Sequence, residues 1–241
     1  MPLPGYGSTL AEAARVAKDN AIYGQKVAKS PCKKMPNLHA HPYPGSEKKL
    51  RKGLQMMADC AATMWRKPMT KAGYQATKVK IRTYKGTLKT PCGNAGGYGV
   101  AGFYCSANQQ IYMAKGLGAR RNLGGYEWGD YLQTLAHEYG HHIQARTGVL
   151  MAAGWHEQVT PRQESLQIRR RIELQANCFS GMAMKQSGKV SRSQAIRWAD
   201  GRVDSDTHGT SEHYLAWSIQ GHKYRAVYQC NTFRAPASDV R

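Results

Sequence analysis

No stretch of this sequence approaches the roughly 18 consecutive apolar residues of a membrane helix. The opening residues, MPLPGYGSTLAEAARVAKDN, hold no apolar h-region, so no secretory signal is read in them. No Cys-x-x-Cys pair occurs, which excludes a zinc knuckle and a thioredoxin-type redox motif. The run TPCGNAGGYGVAGFYC (90–105) reads as a Gly-rich loop with a cysteine at each end, and it lacks G-x-x-x-x-G-K-[ST], so it is no phosphate loop. There is no internal repeat and no RNA- or DNA-binding motif. Carboxylates are scarce as well: 15 Asp and Glu face 35 Lys and Arg, a net charge of +20.

That imbalance is uneven. Residues 1–90 hold 18 Lys/Arg against 4 Asp/Glu, a balance of +14, and residues 91–241 hold 17 against 11, a balance of +6. A cationic N-terminal part suits an acidic partner: an anionic cell-wall polymer, anionic lipid or nucleic acid. A solvated basic surface is the plainer alternative. With 41% hydrophobic residues, five Trp and fourteen Tyr in 241 residues, the chain has the material for a sizeable core. Its six cysteines are an even number. They favour three disulfides and an extracytoplasmic or secreted location, with the export segment absent from the sequence given. Six buried thiols in a cytoplasmic protein are the alternative.

Two parts are expected: a basic N-terminal arm with a Pro-rich linker (1–45) and one domain (46–241). Residues 1–29 carry a weak Ala-rich helical pattern, and SPCKKMPNLHAHPYPGS (30–46) holds four of the ten prolines. Ser46 can cap a helix over about 46–66, where Leu50, Leu54, Met57, Ala61 and Met64/Trp65 recur at helical spacing. KVKIRTYK (78–85) alternates as a strand with one solvated face, and QQIYMAK (109–115) reads as another. Long helices are predicted at about 127–147 and 163–186, and shorter ones at about 191–200 and 210–221.

H-E-x-x-H occurs once, as His137, Glu138, Tyr139, Gly140, His141. It lies within YLQTLAHEYGHHIQ, whose Leu132, Leu135/Ala136, Tyr139 and Ile143 mark an amphipathic helix. Residues four apart share a helical face, so His137 and His141 can present two imidazoles to one Zn2+. Glu138 stands about 100° round the helix and can reach a water without ligating the metal. His142 points about 100° away from His141 and reads as structural. A solvated histidine-rich face is the bland reading.

Catalytic zinc takes three protein ligands and keeps one position open. The metzincin pattern would need glycine at 144 and histidine at 147, and Gln144 and Thr147 exclude it. A later carboxylate remains, with Glu157, Glu164, Glu173 and Glu212 as candidates. Glu157 reads as lying in the loop after the motif helix. Glu164 sits at a helix start, where it can simply meet the dipole. Glu173 is mid-helix among Ile172, Leu174, Ala176 and Phe179, where a charged carboxylate needs a partner. Asn177, one turn on, can accept a hydrogen bond from a ligand imidazole.

LAHEYGHHIQ, ELQANCFSG and HGTSEHYLAW…QGHKY…CNTF, with CGNAGGYGVAGFYCSANQQIYM upstream, resemble in order the blocks of a bacterial family. It is the "putative neutral zinc metallopeptidase" family, the YpfJ-like proteins. The resemblance covers roughly residues 80–233 and none of the first 75 or so. It implies an α+β, zincin-like metallopeptidase domain, mostly helical with a small antiparallel or mixed sheet, to which the charge distribution adds a basic N-terminal extension. It implies His137, His141 and Glu173 as Zn2+ ligands, Glu138 as general base, and endopeptidase activity on peptide or protein through a zinc-activated water.

From its place in a family block, His208, followed by Gly209, is the candidate oxyanion donor; capping the next helix or anchoring a loop is its alternative role. The family reads Asp where Asn177 stands. An amide accepts from an imidazole without adding charge, which leaves the ligand less basic. In zincins the substrate backbone pairs with a sheet edge beside the motif helix, and QQIYMAK is the implied strand. The resemblance further implies disulfides 92–105 and 178–230, which leaves Cys32 for Cys60. The competing reading is a low-activity zincin-fold protein that binds an anionic surface or nucleic acid through its basic N-terminal part.

Overall fold

The computed structural model describes residues 9–29, 32, 34–42, 46–97, 100–115, 127–200 and 204–241. Helix α1 (Leu10–Lys18) opens on Thr9, whose hydroxyl accepts from the Glu12 N–H while the Glu12 carboxylate accepts from the Thr9 N–H. A 3-10 turn follows (Ala21–Gly24). Helix α2 (Glu47–Lys71) is capped by Ser46, as the spacing predicts. It runs on past residue 66 through Pro68. A proline so near a helix end forfeits one hydrogen bond, and the burial of Pro68 and Met69 offsets it.

Five short strands come next: β1 (Lys80–Tyr84), β2 (Thr87–Thr90), β3 (Gly93–Gly96), β4 (Gly102–Cys105) and β5 (Gln110–Ala114). Then come α3 (Trp128–Arg146), α4 (Val149–Val159), α5 (Arg162–Gln186), α6 (Arg192–Ala199) and α7 (Ser211–Lys223). The architecture is mixed α+β and mostly helical. The main sheet is itself mixed, in the order β1–β5–β4. β1 runs parallel to β5 and β4 antiparallel to it, so that Ile111 faces Ile81 on one side and Tyr104 on the other. β2 and β3 form a separate hairpin.

Two expectations about this region are corrected. QQIYMAK holds the central strand, and a strand paired on both sides has no free edge to offer a substrate. The edge that packs against α3 is β4. The Gly-rich run is also more than a loop, since it contains β3 and β4, with Cys92 and Cys105 joined across it.

Helices α3 and α5 carry the core. Leu135, Ala136, Tyr139 and Ile143 of α3 meet Phe179 and Met182 of α5 in one cluster. Trp65 of α2 closes it, with its ring 5.0 Å from that of Phe179. Helices α5 and α7 approach so closely that a Cβ on Gly221 would lie 1.8 Å from the Cys178 carbonyl oxygen. The Cys178–Cys230 disulfide ties the segment after α7 to the same point.

The spacing does not predict α4, because VLMAAGWHEQV is apolar around most of its circumference and shows no period. It is held in place by tertiary contacts, with Val149 and Ala153 packed on Ala17, Ile168 and Ile172. Nor do the described residues before 46 stand apart as an arm. Ile22, Tyr23, Val27, Cys32 and Leu38 lie in the main core. The Val27 N–H donates to the Arg225 carbonyl and the Val227 N–H to that of Gln25. The Cys32–Cys60 disulfide joins this segment to α2. A Pro-rich stretch without a period can still spend its few apolar side chains in a core. Residues 1–8 of the arm and 30, 31, 33 and 43–45 of the linker lie outside the described residues. No helix among the described residues is long and apolar enough to cross a membrane.

Candidate metal centre

The motif helix is set against its partner by Gly140. A Cβ there would stand 2.9 Å from the Ala176 Cα, so only glycine lets α5 come this close without a shift. Ala176 lies between Glu173 and Asn177, and the close crossing brings both side chains to the histidines. The Glu173 Oε2 atom is 3.1 Å from His137 Nε2 and 3.3 Å from His141 Nε2, and the two Nε2 atoms are 3.1 Å apart. The imidazole planes are nearly perpendicular, at 88°. Of the four carboxylates weighed from sequence, Glu173 is the one brought to the pair. Glu157 lies on α4, not in a loop, and is paired with Arg169. Glu164 faces His156 at 3.3 Å, and Glu212 is exposed in the first turn of α7.

Both imidazoles are held from behind. His137 Nδ1 donates to Asn177 Oδ1 at 2.6 Å, and His141 Nδ1 donates to Gln144 Oε1 at 2.9 Å. Those bonds turn each Nε2 toward the cluster, where it offers a lone pair whenever the ring is neutral. The Gln144 amide is oriented in turn, since its Nε2 donates to the Ile172 carbonyl at 2.8 Å and to Gln175 Oε1 at 3.0 Å. Gln175 then donates to the Tyr23 hydroxyl at 2.8 Å. Sequence reasoning missed Gln144 and Gln175. The available signal was position, because Gln144 stands one turn beyond His141 on the motif helix.

The electrostatics agree with the geometry. Burial pushes the Glu173 carboxyl up, but the charge of His141 and the N–H bonds of both histidines outweigh it and hold the group well below the ordinary carboxylate range. Burial lowers His141, and the neighbouring Glu173 more than reverses this, to about 9. Glu173 thus favours positive charge between the three atoms, either as protons on the imidazoles or as a metal ion in their place. Tetrahedral ligands at about 2.0–2.1 Å from a zinc ion stand about 3.3 Å apart, close to the 3.1–3.3 Å separations here. The N, N, O donor set and its spacing therefore fit one small divalent ion.

Glu138 is buried next to this cluster, and burial raises its carboxyl against the pull of His137 and His141. It accepts a bond from the Tyr104 backbone N–H, on the free edge of β4. His142 instead meets the Tyr104 hydroxyl at 3.1 Å and the Thr77 hydroxyl at 3.2 Å, and burial pulls it down to about 4. His208 reaches the cluster from the Ser205–Gly209 turn, with Nε2 3.4 Å from Glu173 Oε2. The helix that follows is capped by Thr210, so His208 is not needed there. Two hollows of about 310 and 360 Å3 flank the cluster and share Gly102, His137, Glu138 and His208 in their walls.

Similarity to known proteins points the same way. The family model described as "Putative neutral zinc metallopeptidase" matches residues 25–195, which takes in both histidines, Glu138 and Glu173 and leaves His208 outside. The protein named "Uncharacterized protein YpfJ" of Escherichia coli K12 is 32% identical over 193 residues, which is 70% of this chain and 66% of that relative, just under two thirds of its length. Its counterpart in a second Escherichia coli strain matches equally. No solved structure matches. The chain belongs to the putative neutral zinc metallopeptidase family.

Proposed function

We propose that this protein is a zinc-dependent endopeptidase of zincin-like fold, with His137, His141 and Glu173 as the metal ligands. The observation that carries the reading is the convergence of two Nε2 atoms and one carboxylate oxygen at ligand spacing, each imidazole being held by an amide oxygen on its other nitrogen. The ion, when bound, supplies a Lewis acid that polarises a peptide carbonyl and lowers the pKa of water. Glu138 takes the proton of the attacking water on its carboxylate and passes it to the leaving amine. His208, half exposed at the mouth of the cluster, donates from Nε2 to the oxyanion. An extended peptide lies along the free edge of β4 with side chains in the two flanking hollows, so that bonds inside a chain are within reach. Three disulfides support an extracytoplasmic place of action.

The test is Glu138→Gln. It should keep one zinc per chain and the wild-type circular dichroism while losing hydrolysis of a quenched peptide by at least about a hundredfold. Unchanged hydrolysis would remove the reading. A second reading, a protein of this fold with little turnover, is favoured by Asn177, whose amide lends His137 no charge.

A further inference from the structure

The cations of this protein are concentrated elsewhere than on its first residues. Residues 1–45 hold six Lys/Arg against two carboxylates, whereas residues 46–90 hold twelve against two, a balance of +10 out of the total +20. Five of them line one groove of about 890 Å3 between the N-terminal half of α2 and β1: Lys48, Arg51, Lys52, Lys80 and Arg82. All five are exposed. Among the described residues, the Lys and Arg ion pairs involve Lys115, Arg169, Arg197 and Arg234 instead. The groove's own carboxylates are engaged. Glu47 accepts from Lys115 at 2.6 Å and from Thr83 at 2.7 Å, and Asp59 accepts from Gln55 at 3.1 Å. Those bonds leave both carboxylates charged, and Arg51 acts on Glu47, so five cations against two carboxylates leave the lining a net charge of +3 to attract an anionic ligand.

Shape and edge chemistry narrow what that ligand is. Lys48 and Lys52 are one helical turn apart, about 6 Å along the axis. Lys80 and Arg82 point to one face of β1, about 7 Å apart. Two such rows suit a linear chain with one negative charge per repeat. A peptide strand is disfavoured, because the Gln55 amide already occupies the β1 edge. It donates to the Val79 carbonyl at 3.1 Å and accepts from the Ile81 N–H at 3.3 Å. A flat bilayer does not enter a concave groove. Met56 and Ile81 are the apolar lining and no aromatic ring is present, so nucleobases find no stacking platform. Arg51 and Arg82 offer the forked donors that suit phosphate oxygens.

We infer that this groove binds a linear polyol-phosphate polymer. It lies at the β1 edge of the sheet, with β5 between it and the β4 edge, so polymer and peptide can be held together. The inference stands independently of the peptidase reading.

The test is anisotropy of labelled poly(glycerol phosphate) on the full chain between 50 and 200 mM salt. With five contacts and a slope of about 0.7 per contact, affinity should fall about a hundredfold over that range. Replacing Arg51, Lys52, Lys80 and Arg82 together by Ala should abolish binding. Replacing Arg162, Lys185, Lys189 and Arg192 by Ala, an equal loss of charge at exposed positions outside the groove, should change it less than about twofold. Should the groove variant misfold, Arg82→Gln alone should lower the salt slope by about 0.7. Equal weakening in both quadruple variants, an unchanged slope in Arg82→Gln, or no binding at 50 mM salt would overturn the proposal. So would tighter binding of an oligothymidylate of equal charge, which would make the groove a nucleic-acid site.

Discussion

Asn177 stands where the resemblance to the family implies Asp. Its Oδ1 accepts from His137, while its buried Nδ2 has no partner among the described residues. A carboxylate there would keep the accepted bond and add a charge beside the imidazole. Asn177→Asp should therefore tighten zinc binding by about tenfold, read by competition with a chromophoric chelator. Asn177→Ala should loosen it by at least as much. An Asp variant that binds zinc no better would mean that the second partner of His137 contributes position alone. Gln144 does for His141 what Asn177 does for His137. Its role was not legible in the chain, because a glutamine on a helix is usually solvated. What makes it an orienting group is that Ile172 and Gln175 occupy its nitrogen and leave its oxygen for the ring.

At the scale of elements, the decisive feature is the crossing of α3 and α5 at Gly140 and Ala176. Gly140→Val would drive two methyl groups into the Ala176 backbone. It should cost about 1–3 kcal/mol of stability in urea unfolding. It should also weaken zinc binding, because Glu173 and Asn177 retreat together with α5. A valine variant with wild-type zinc affinity would show that the helices can part without separating Glu173 from the two histidines. The helices α3 and α5 were legible in sequence from apolar residues at helical spacing, but α3 and the second half of α5 turn out to be buried on nearly every side, polar residues included. β4 was not, because Gly102, Phe103, Tyr104 and Cys105 show no alternation, and the strand exists by pairing with β5 and by the disulfide behind it. Pairing also decided which strand is an edge, a property of the sheet and of no single segment.

At the scale of the whole molecule, the described N-terminal residues belong to the core. Ile22 is 1% exposed and Val27 fully buried, in one cluster with side chains of α3 and α5 that are distant in sequence. Ile22→Ala should cost about 2–5 kcal/mol in chemical denaturation, the range for truncating a buried aliphatic side chain. A loss under about 0.5 kcal/mol, as for a surface position, would restore the idea of a separable arm. The sequence by itself determined the motif helix, the two facing histidines and the carboxylate of Glu138 beside them, because a four-residue spacing on a regular helix fixes which side chains share a face. It also determined the excess of positive charge, which is a matter of counting. Only the tertiary structure decided that Glu173 and not Glu157, Glu164 or Glu212 meets the histidines, since that depends on how closely α5 crosses α3. Only the tertiary structure gathered the cations into a groove on α2 and β1, because charges 30 residues apart become neighbours through packing and not through spacing.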